Sequence, residues 1–202
     1  MRFISIFLSV SIFVTAFIGD YIVFDTRYSN ALIYRALTDN FIHASIGFLS
    51  ALLFFVNIDV TRQAWLYNVI FCTIVSSFID IDHFIAAKSI HFKDLTTLKQ
   101  RGFLHCTTLW IIITSILFIY SYMYKKLNIY ILTFMLTIAY TSHHIRDANR
   151  RGIWIYPYGH TQPIPKYIYI SLLSILPMVF VYIYQYFKPV GKNTVVQYNI
   201  LV

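Results

Sequence analysis

The chain has 202 residues, of which 58% are hydrophobic, 19% aromatic and only 12% charged, with a mean hydropathy of +0.65. A soluble domain of this length has no core large enough to hide so much apolar surface, so most of the chain is expected to contact lipid. The formal charge of +8 comes from sixteen Lys and Arg against eight acidic residues, all of which are Asp. Any carboxylate chemistry must therefore use aspartate.

Six apolar runs predict the helices, at residues 3–23, 41–56, 64–79, 103–124, 129–144 and 167–187. Because lipid offers no hydrogen bonds to the backbone, each run is expected to be a helix that crosses the membrane. The predicted fold is an all-α bundle of about six transmembrane helices, forming a single integral membrane domain over residues 1–202. The short polar links "NIDVTRQ" and "KKLN" predict antiparallel hairpins after the second and fourth runs.

The first run has some features of a signal peptide, since Met1 and Arg2 precede its apolar stretch. However, no small-residue cleavage site is evident before Asp20, and the run is long enough to span. A retained helix is the favoured interpretation, and a cleaved signal peptide is the alternative.

The order of crossings predicts where polar residues gather. Face A is our name for the membrane face at which runs one, three and five end and runs two, four and six begin. All seven histidines fall at face A, as do seven of the eight aspartates, with Asp59 as the exception. Ionisable groups near membrane depth are costly, so their accumulation at one face indicates a functional site.

Two helix ends carry His and Asp at helical spacing. In "FIDIDHF", Asp80 and His83 are three residues apart and share a face if the helix continues, while Asp82 is directed elsewhere. In "TSHHIRD", His143 and Asp147 are four residues apart and again share a face. His144 is expected to point away.

These residues predict a metal site without sulfur. His43 and His105 lie near the starts of the second and fourth helices, whereas Cys72 and Cys106 form no ligand pair. The predicted ligands are His43, Asp80, Asp82, His83, His105, His143 and Asp147. Such nitrogen and oxygen donors suit zinc and also iron or manganese, and a bound ion lowers the pKa of water to about 7. Asp80 and Asp147 are the predicted catalytic residues. The alternative for each side chain alone is a packing or capping role.

The same motifs resemble those of bacterial LexA-binding, inner-membrane-associated metal-dependent hydrolases. That family's pattern has an early His, then PDIDH, HRGxTHS and SHxxxD, which correspond here to His43, "IDIDH", "QRGFLHC" and "SHHIRD". Gln100 stands where the pattern has the first His of HRG, and Ile79 replaces its Pro. The chain is also similar, over most of its length, to the eukaryotic transmembrane protein 267 family, which shares "TSHHIRD" and "FLHC" segments. The bacterial resemblance implies a metal-dependent hydrolase, and the eukaryotic one implies an integral membrane protein.

Three functions are compatible with the sequence. The first is a membrane metallohydrolase acting on a phosphoester or lipid headgroup, with Arg101, Arg146 and Arg150 as predicted substrate-binding residues. The second is a non-enzymatic scaffold or assembly protein that keeps a structural metal or polar site. The third is an ion or proton carrier, for which Asp59 is the only acidic residue at the opposite face. The predicted partner is the lipid bilayer, since no nucleic-acid motif is present.

Orientation follows from the basic residues. Face A carries ten Lys and Arg against six at the other face. The positive-inside tendency predicts that face A is cytoplasmic, with both termini outside.

Overall fold

The computed structural model describes residues 2–91 and 102–189. Its long helices are α1 (Arg2–Asp20), α2 (Leu32–Phe55), α3 (Arg62–Phe78), α5 (Thr107–Met123), α6 (Leu127–Arg151) and α7 (Lys166–Phe187), with the short α4 (Asp82–Ala87) after α3. A π-helical turn (Tyr21–Asp25) extends α1, and 3-10 turns occur at Ile79–Ile81 and Phe103–His105. Two antiparallel two-residue strands, β1 (Trp154–Ile155) and β2 (Gly159–His160), form a small hairpin. The predicted all-α fold class is confirmed.

Helix α6 is the central helix of the bundle. It packs against α2, α3, α5 and α7, and fifteen of its 25 residues are buried. A helix surrounded by other helices does not need an apolar surface for lipid, so α6 can carry polar residues. The polar side chains of His143, His144, Arg146 and Asp147 therefore lie inside the protein.

Four helical segments are long and apolar enough to cross a membrane: Arg2–Asp25, Leu32–Phe55, Arg62–Ala87 and Lys166–Phe187. Helix α5 is apolar but shorter. Many large apolar side chains on these helices are exposed, for example Phe3, Phe41 and Ile116. Such side chains are stable at the surface only against lipid, so the protein is an integral membrane helix bundle.

Two helices, α2 and α6, are longer than predicted, because charged residues in the added turns form ion pairs within the bundle. Helix α2 begins at Leu32 rather than at residue 41, and α6 ends at Arg151 rather than at residue 144. The hydropathy of both extensions is low because they contain Asp39, Arg146 and Arg150. Asp39 forms an ion pair with each of the two arginines, which makes the extensions stable despite their charge.

The third and fourth predicted runs also differ at face A. The third continues through the 3-10 turn into α4 and ends at Ala87 rather than at residue 79. The fourth begins with the 3-10 turn Phe103–His105, and the α-helix starts only at Thr107. These two irregular turns bring the motifs "IDIDH" and "FLHC" against each other.

Candidate metal centre

The turn between α3 and α4 positions two aspartates differently. The Asp80 side chain is 24% exposed, and its Oδ1 lies 3.6 Å from His83 Nε2. Asp82 is fully buried and faces His105. Asp80 and His83 thus share a face, as the spacing indicates.

The buried carboxylate of Asp82 holds His105 in place. His105 Nδ1 lies 2.9 Å from Asp82 Oδ1, and the His105 backbone N–H donates to Asp82 Oδ2 at 3.2 Å. Gly102 makes room for this carboxylate, because a Cβ at Gly102 would overlap the Asp82 side chain. The Nδ1–H of His105 therefore donates to Asp82, and Nε2 points the other way.

Helix α6 contributes His143 and Asp147 on one face. His143 Nδ1 lies 2.8 Å from the Ser76 carbonyl oxygen, so Nδ1–H donates to the backbone and Nε2 is directed away from α3. His144 points to the other side, where its Nδ1 lies 2.8 Å from Thr107 Oγ1 and its Nε2 lies 3.1 Å from the Leu104 carbonyl oxygen. His144 thus anchors the start of α5 and does not join the site.

Four side chains converge to form what we call the His/Asp cluster: Asp80, His105, His143 and Asp147. One ligand atom from each lies within 4.8 Å of all the others. His105 Nε2 is 3.3 Å from His143 Nε2, 3.4 Å from Asp147 Oδ2 and 3.6 Å from Asp80 Oδ1, and His143 Nε2 is 3.5 Å from Asp80 Oδ1. A tetrahedral ion with bonds of about 2.0–2.2 Å separates its ligand atoms by about 3.3–3.6 Å. These four separations therefore match those around a tetrahedral divalent ion.

The two imidazoles of the cluster need a cation between them. Each has its Nδ1–H directed at an acceptor, so in the neutral rings both Nε2 atoms carry lone pairs and face each other at 3.3 Å. Two lone pairs at that distance repel unless a proton or a metal ion lies between them. Both nitrogens are buried, so water does not relieve the repulsion.

Without an ion, the proton would reside on His105, which lies in the 3-10 turn outside the helices. Burial disfavours the imidazolium, but the carboxylates of Asp147, Asp80 and Asp82 outweigh burial and hold the pKa of His105 well above its ordinary value. A cation is thus stabilised at this position, whether it is a proton or a metal.

Two other predicted ligands lie beside the cluster. The ring of His43 stacks on that of His143 with 3.8 Å between centroids, and its Nε2 is 3.5 Å from Asp147 Oδ1. His83, with Asp82 and His105, forms a second group of three possible ligands. His105 belongs to both groups, so the two groups compete for one imidazole.

A buried ion-pair network supports the cluster. Arg146 has a 1% exposed side chain and donates to Asp39, to Asp20 Oδ1 at 3.4 Å and to His43 Nε2 at 3.0 Å. Arg150 donates to Asp147 Oδ1 at 2.7 Å and to Asp39 Oδ2 at 3.1 Å. The network continues to α7, where the Tyr169 hydroxyl donates to Asp20.

Sequence reasoning did not identify Asp20 and Asp39 as part of the site. Asp39 lies four residues before His43, a spacing that would have placed both on one face had the helix been extended that far. Asp20 has no comparable signal, because only the packing of α1 against α2 and α7 brings it to Arg146. Arg101 and Gln100 lie outside the described residues.

A cleft of about 520 Å³ adjoins the cluster. It lies between the first turns of α2, the α3–α4 junction and the end of α6. Asp80, His83 and Asp147 line it together with Arg150, whose side chain is 32% exposed. The cluster is therefore accessible from one side although most of its atoms are buried.

The fold and the cluster define a class: a polytopic α-helical membrane protein with a buried His/Asp centre at one end of the bundle. The chain belongs to the YdjM inner membrane protein family, which it matches over residues 39–201. This range includes every residue of the His/Asp cluster.

Curated relatives carry the name Transmembrane protein 267. The proteins from Bos taurus and Xenopus laevis are each 36% identical over 146 residues, which is 72% of this chain and 66% of the relative. The protein from Danio rerio is 34% identical over 174 residues, 86% of this chain and 77% of the relative. The chain thus spans about two thirds of the cattle and frog proteins. Both predicted resemblances are confirmed, and no solved structure matches the chain.

Proposed function

We propose that this protein is a membrane-embedded, metal-dependent hydrolase that acts on a phosphoester. The observation that carries the proposal is the convergence of two imidazole lone pairs and two carboxylate oxygens beside an accessible cleft, with four of their separations at 3.3–3.6 Å as around a tetrahedral ion. The donors are nitrogen and oxygen without sulfur, which suits zinc and also manganese or iron. When bound, the ion would polarise a phosphoryl oxygen and acidify a water molecule.

The two aspartates of the cluster have different environments, which supports different roles. Asp147 accepts a hydrogen bond from Arg150 at 2.7 Å and is nearly buried, so we assign it as a fixed ligand. Asp80 lines the cleft and its side chain is 24% exposed, compared with 7% for Asp147. Asp80 Oδ1 faces both imidazoles, so we assign its other oxygen, Oδ2, as the group that accepts a proton from the attacking water.

The two arginines near the cluster, Arg146 and Arg150, also have different environments. Arg150 lines the cleft and keeps part of its guanidinium exposed, so it remains our proposed phosphate contact. Arg146 is buried and donates to Asp39, Asp20 and His43, so its role is to position the charges behind the cluster.

One observation favours a second candidate, a structural metal in a non-enzymatic membrane protein. Four protein ligands complete a tetrahedron, as in structural zinc sites, whereas catalytic zinc usually keeps one position for water or substrate. Under this alternative, metal binding stabilises the bundle and no phosphoester is turned over.

Elemental analysis of the purified native protein and of a His105→Ala, His143→Ala double variant tests the site. The native protein should carry a divalent metal and the double variant should lose it. His91→Ala is the matched control, because His91 is exposed and outside the cluster. A native protein that holds no metal after reloading would contradict both candidates.

A phosphoesterase assay of the loaded protein then separates the two candidates. Turnover by the native protein that is lost in Asp80→Asn, while the variant keeps its metal, supports the hydrolase. Retained metal without turnover of soluble or lipid phosphoesters supports the structural alternative.

A further inference from the structure

The cleft beside the His/Asp cluster has apolar walls. Helix α2 contributes Leu32, Ala36 and Leu37, and the junction of α3 and α4 contributes Phe78, Ile81 and Phe84. A soluble phosphate needs only polar contacts, whereas these walls extend well beyond the charged groups. The cleft therefore has room for an apolar group attached to whatever binds at the cluster.

The charge of the cleft depends on the metal. Among the described residues that line it, three arginines (Arg35, Arg150 and Arg151) balance three aspartates (Asp39, Asp80 and Asp147). A divalent ion at Asp80 and Asp147 would give the cleft a net charge of about +2, which attracts a phosphate and disfavours a cation. The loaded cleft thus presents an anion site and an apolar channel side by side.

The mouth of the cleft is also apolar. Leu37 is 60% exposed and Phe78 is 56% exposed, and both belong to helices that are long and apolar enough to cross a membrane. In an integral membrane protein, such side chains lie against lipid. A ligand would accordingly enter between α2 and α3 from the bilayer.

We infer that the cleft binds a membrane lipid that carries a phosphate ester, with its hydrocarbon chain against Ala36, Leu37 and Phe78 and its phosphate beside Arg150. This inference rests on the proposed function and names its substrate class. In the reaction, the oxygen of one water forms a bond to phosphorus while the bond from phosphorus to the ester oxygen breaks. Asp80 takes a proton from the water and passes it to the leaving oxygen, which departs as an alcohol.

Binding of alkyl phosphonates tests the inference without turnover, because their carbon–phosphorus bond is not hydrolysed. The zinc-loaded full chain in detergent is titrated with hexadecyl phosphonate and with ethyl phosphonate. We expect the long-chain compound to bind at least about tenfold more tightly, since each buried methylene adds to its affinity. Removal of zinc should abolish binding of both.

Two tryptophan substitutions on α2 make the test specific. Ala36→Trp fills the apolar part of the cleft and should remove the chain-length preference while zinc content and ethyl phosphonate affinity stay unchanged. Ile33→Trp is the matched control, because Ile33 is exposed and does not line the cleft. It should behave like the native protein, which also controls for partition of the long chain into detergent.

The outcomes for the two proposals are distinguishable. Equal affinities for the two phosphonates, or a preference that survives Ala36→Trp, would overturn the lipid inference while the metal site stands. A native protein without metal would overturn both.

Discussion

Each imidazole of the His/Asp cluster has one nitrogen fixed by the protein and the other left for a ligand. The fixing groups differ: a carboxylate for His105 and a backbone carbonyl for His143. A carboxylate that accepts a hydrogen bond from an imidazole raises the basicity of the ring and fixes its orientation. Such partners usually increase metal affinity. Asp82, predicted as a ligand, is placed to support His105, because its oxygens are already directed at the ring and backbone of that residue.

We predict that Asp82→Asn weakens zinc binding by about 10–100-fold. The amide keeps the shape of the side chain but removes the negative charge that holds His105. Competition with a chelating dye measures the affinity, and circular dichroism checks that the helices persist. Asp59→Asn is the matched control, since Asp59 is exposed at the other face. Equal affinity for both variants would show that Asp82 does not support the site.

The raised pKa of His105 predicts how zinc affinity depends on pH. The carboxylates keep His105 protonated at pH values above the ordinary pKa of histidine. At any pH below the raised pKa, zinc must therefore displace that proton in order to bind. Affinity should therefore increase with pH, by roughly tenfold per unit for one displaced proton, at pH values below that raised pKa. Zinc titrations across this range measure the slope. A flat profile would mean that His105 is already neutral when zinc binds.

At the scale of helices, α2 and α6 are joined by buried charges rather than by apolar packing alone. Arg146 reaches from α6 to Asp39 on α2 and to Asp20 at the end of α1. Breaking one partner of a buried ion pair leaves the other charge without compensation, which is costly in a poorly solvated interior. The network therefore fixes how three helices sit around the cluster.

We predict that Arg146→Gln lowers the free energy of unfolding by about 3–5 kcal/mol. Among the described residues, the substitution leaves Asp20 without a cationic partner and Asp39 with Arg150 alone, and thermal denaturation in detergent measures the loss. Arg151→Gln is the control, because Arg151 is exposed at the end of the same helix. Similar melting temperatures for the two variants would contradict a structural role for the network.

At the scale of the whole molecule, the sequence predicted the features that depend on the apolar runs and on the order in which they cross the membrane. The all-α bundle and the convergence of Asp80, His105, His143 and Asp147 follow from six apolar runs and from which helix ends meet at face A. The start of α2 and the end of α6 could not be predicted from the sequence, because a hydropathy pattern treats Asp39 and Arg150 as exposed residues outside the helices. Their mutual pairing is long-range, so it becomes visible only when the helices are packed.

The distribution of Lys and Arg between the two membrane faces predicts on which side of the membrane the His/Asp cluster lies. The ten Lys and Arg of face A exceed the six of the opposite face, and the positive-inside rule counts these residues irrespective of neighbouring aspartates. We therefore predict that the His/Asp cluster opens toward the cytoplasm. The chain contains no natural Asn-x-Ser/Thr acceptor, so an inserted one reports location without background.

An acceptor with flanking spacer residues is inserted in the turn after α5, at Lys125–Lys126, or in the hairpin turn between β1 and β2. In microsomes, we expect glycosylation of the first insertion and not of the second, because only the turn after α5 would face the lumen. The reverse pattern would place the cluster at the lumenal face. A lipid substrate would then have to come from the lumenal leaflet, since the mouth of the cleft lies near face A between α2 and α3.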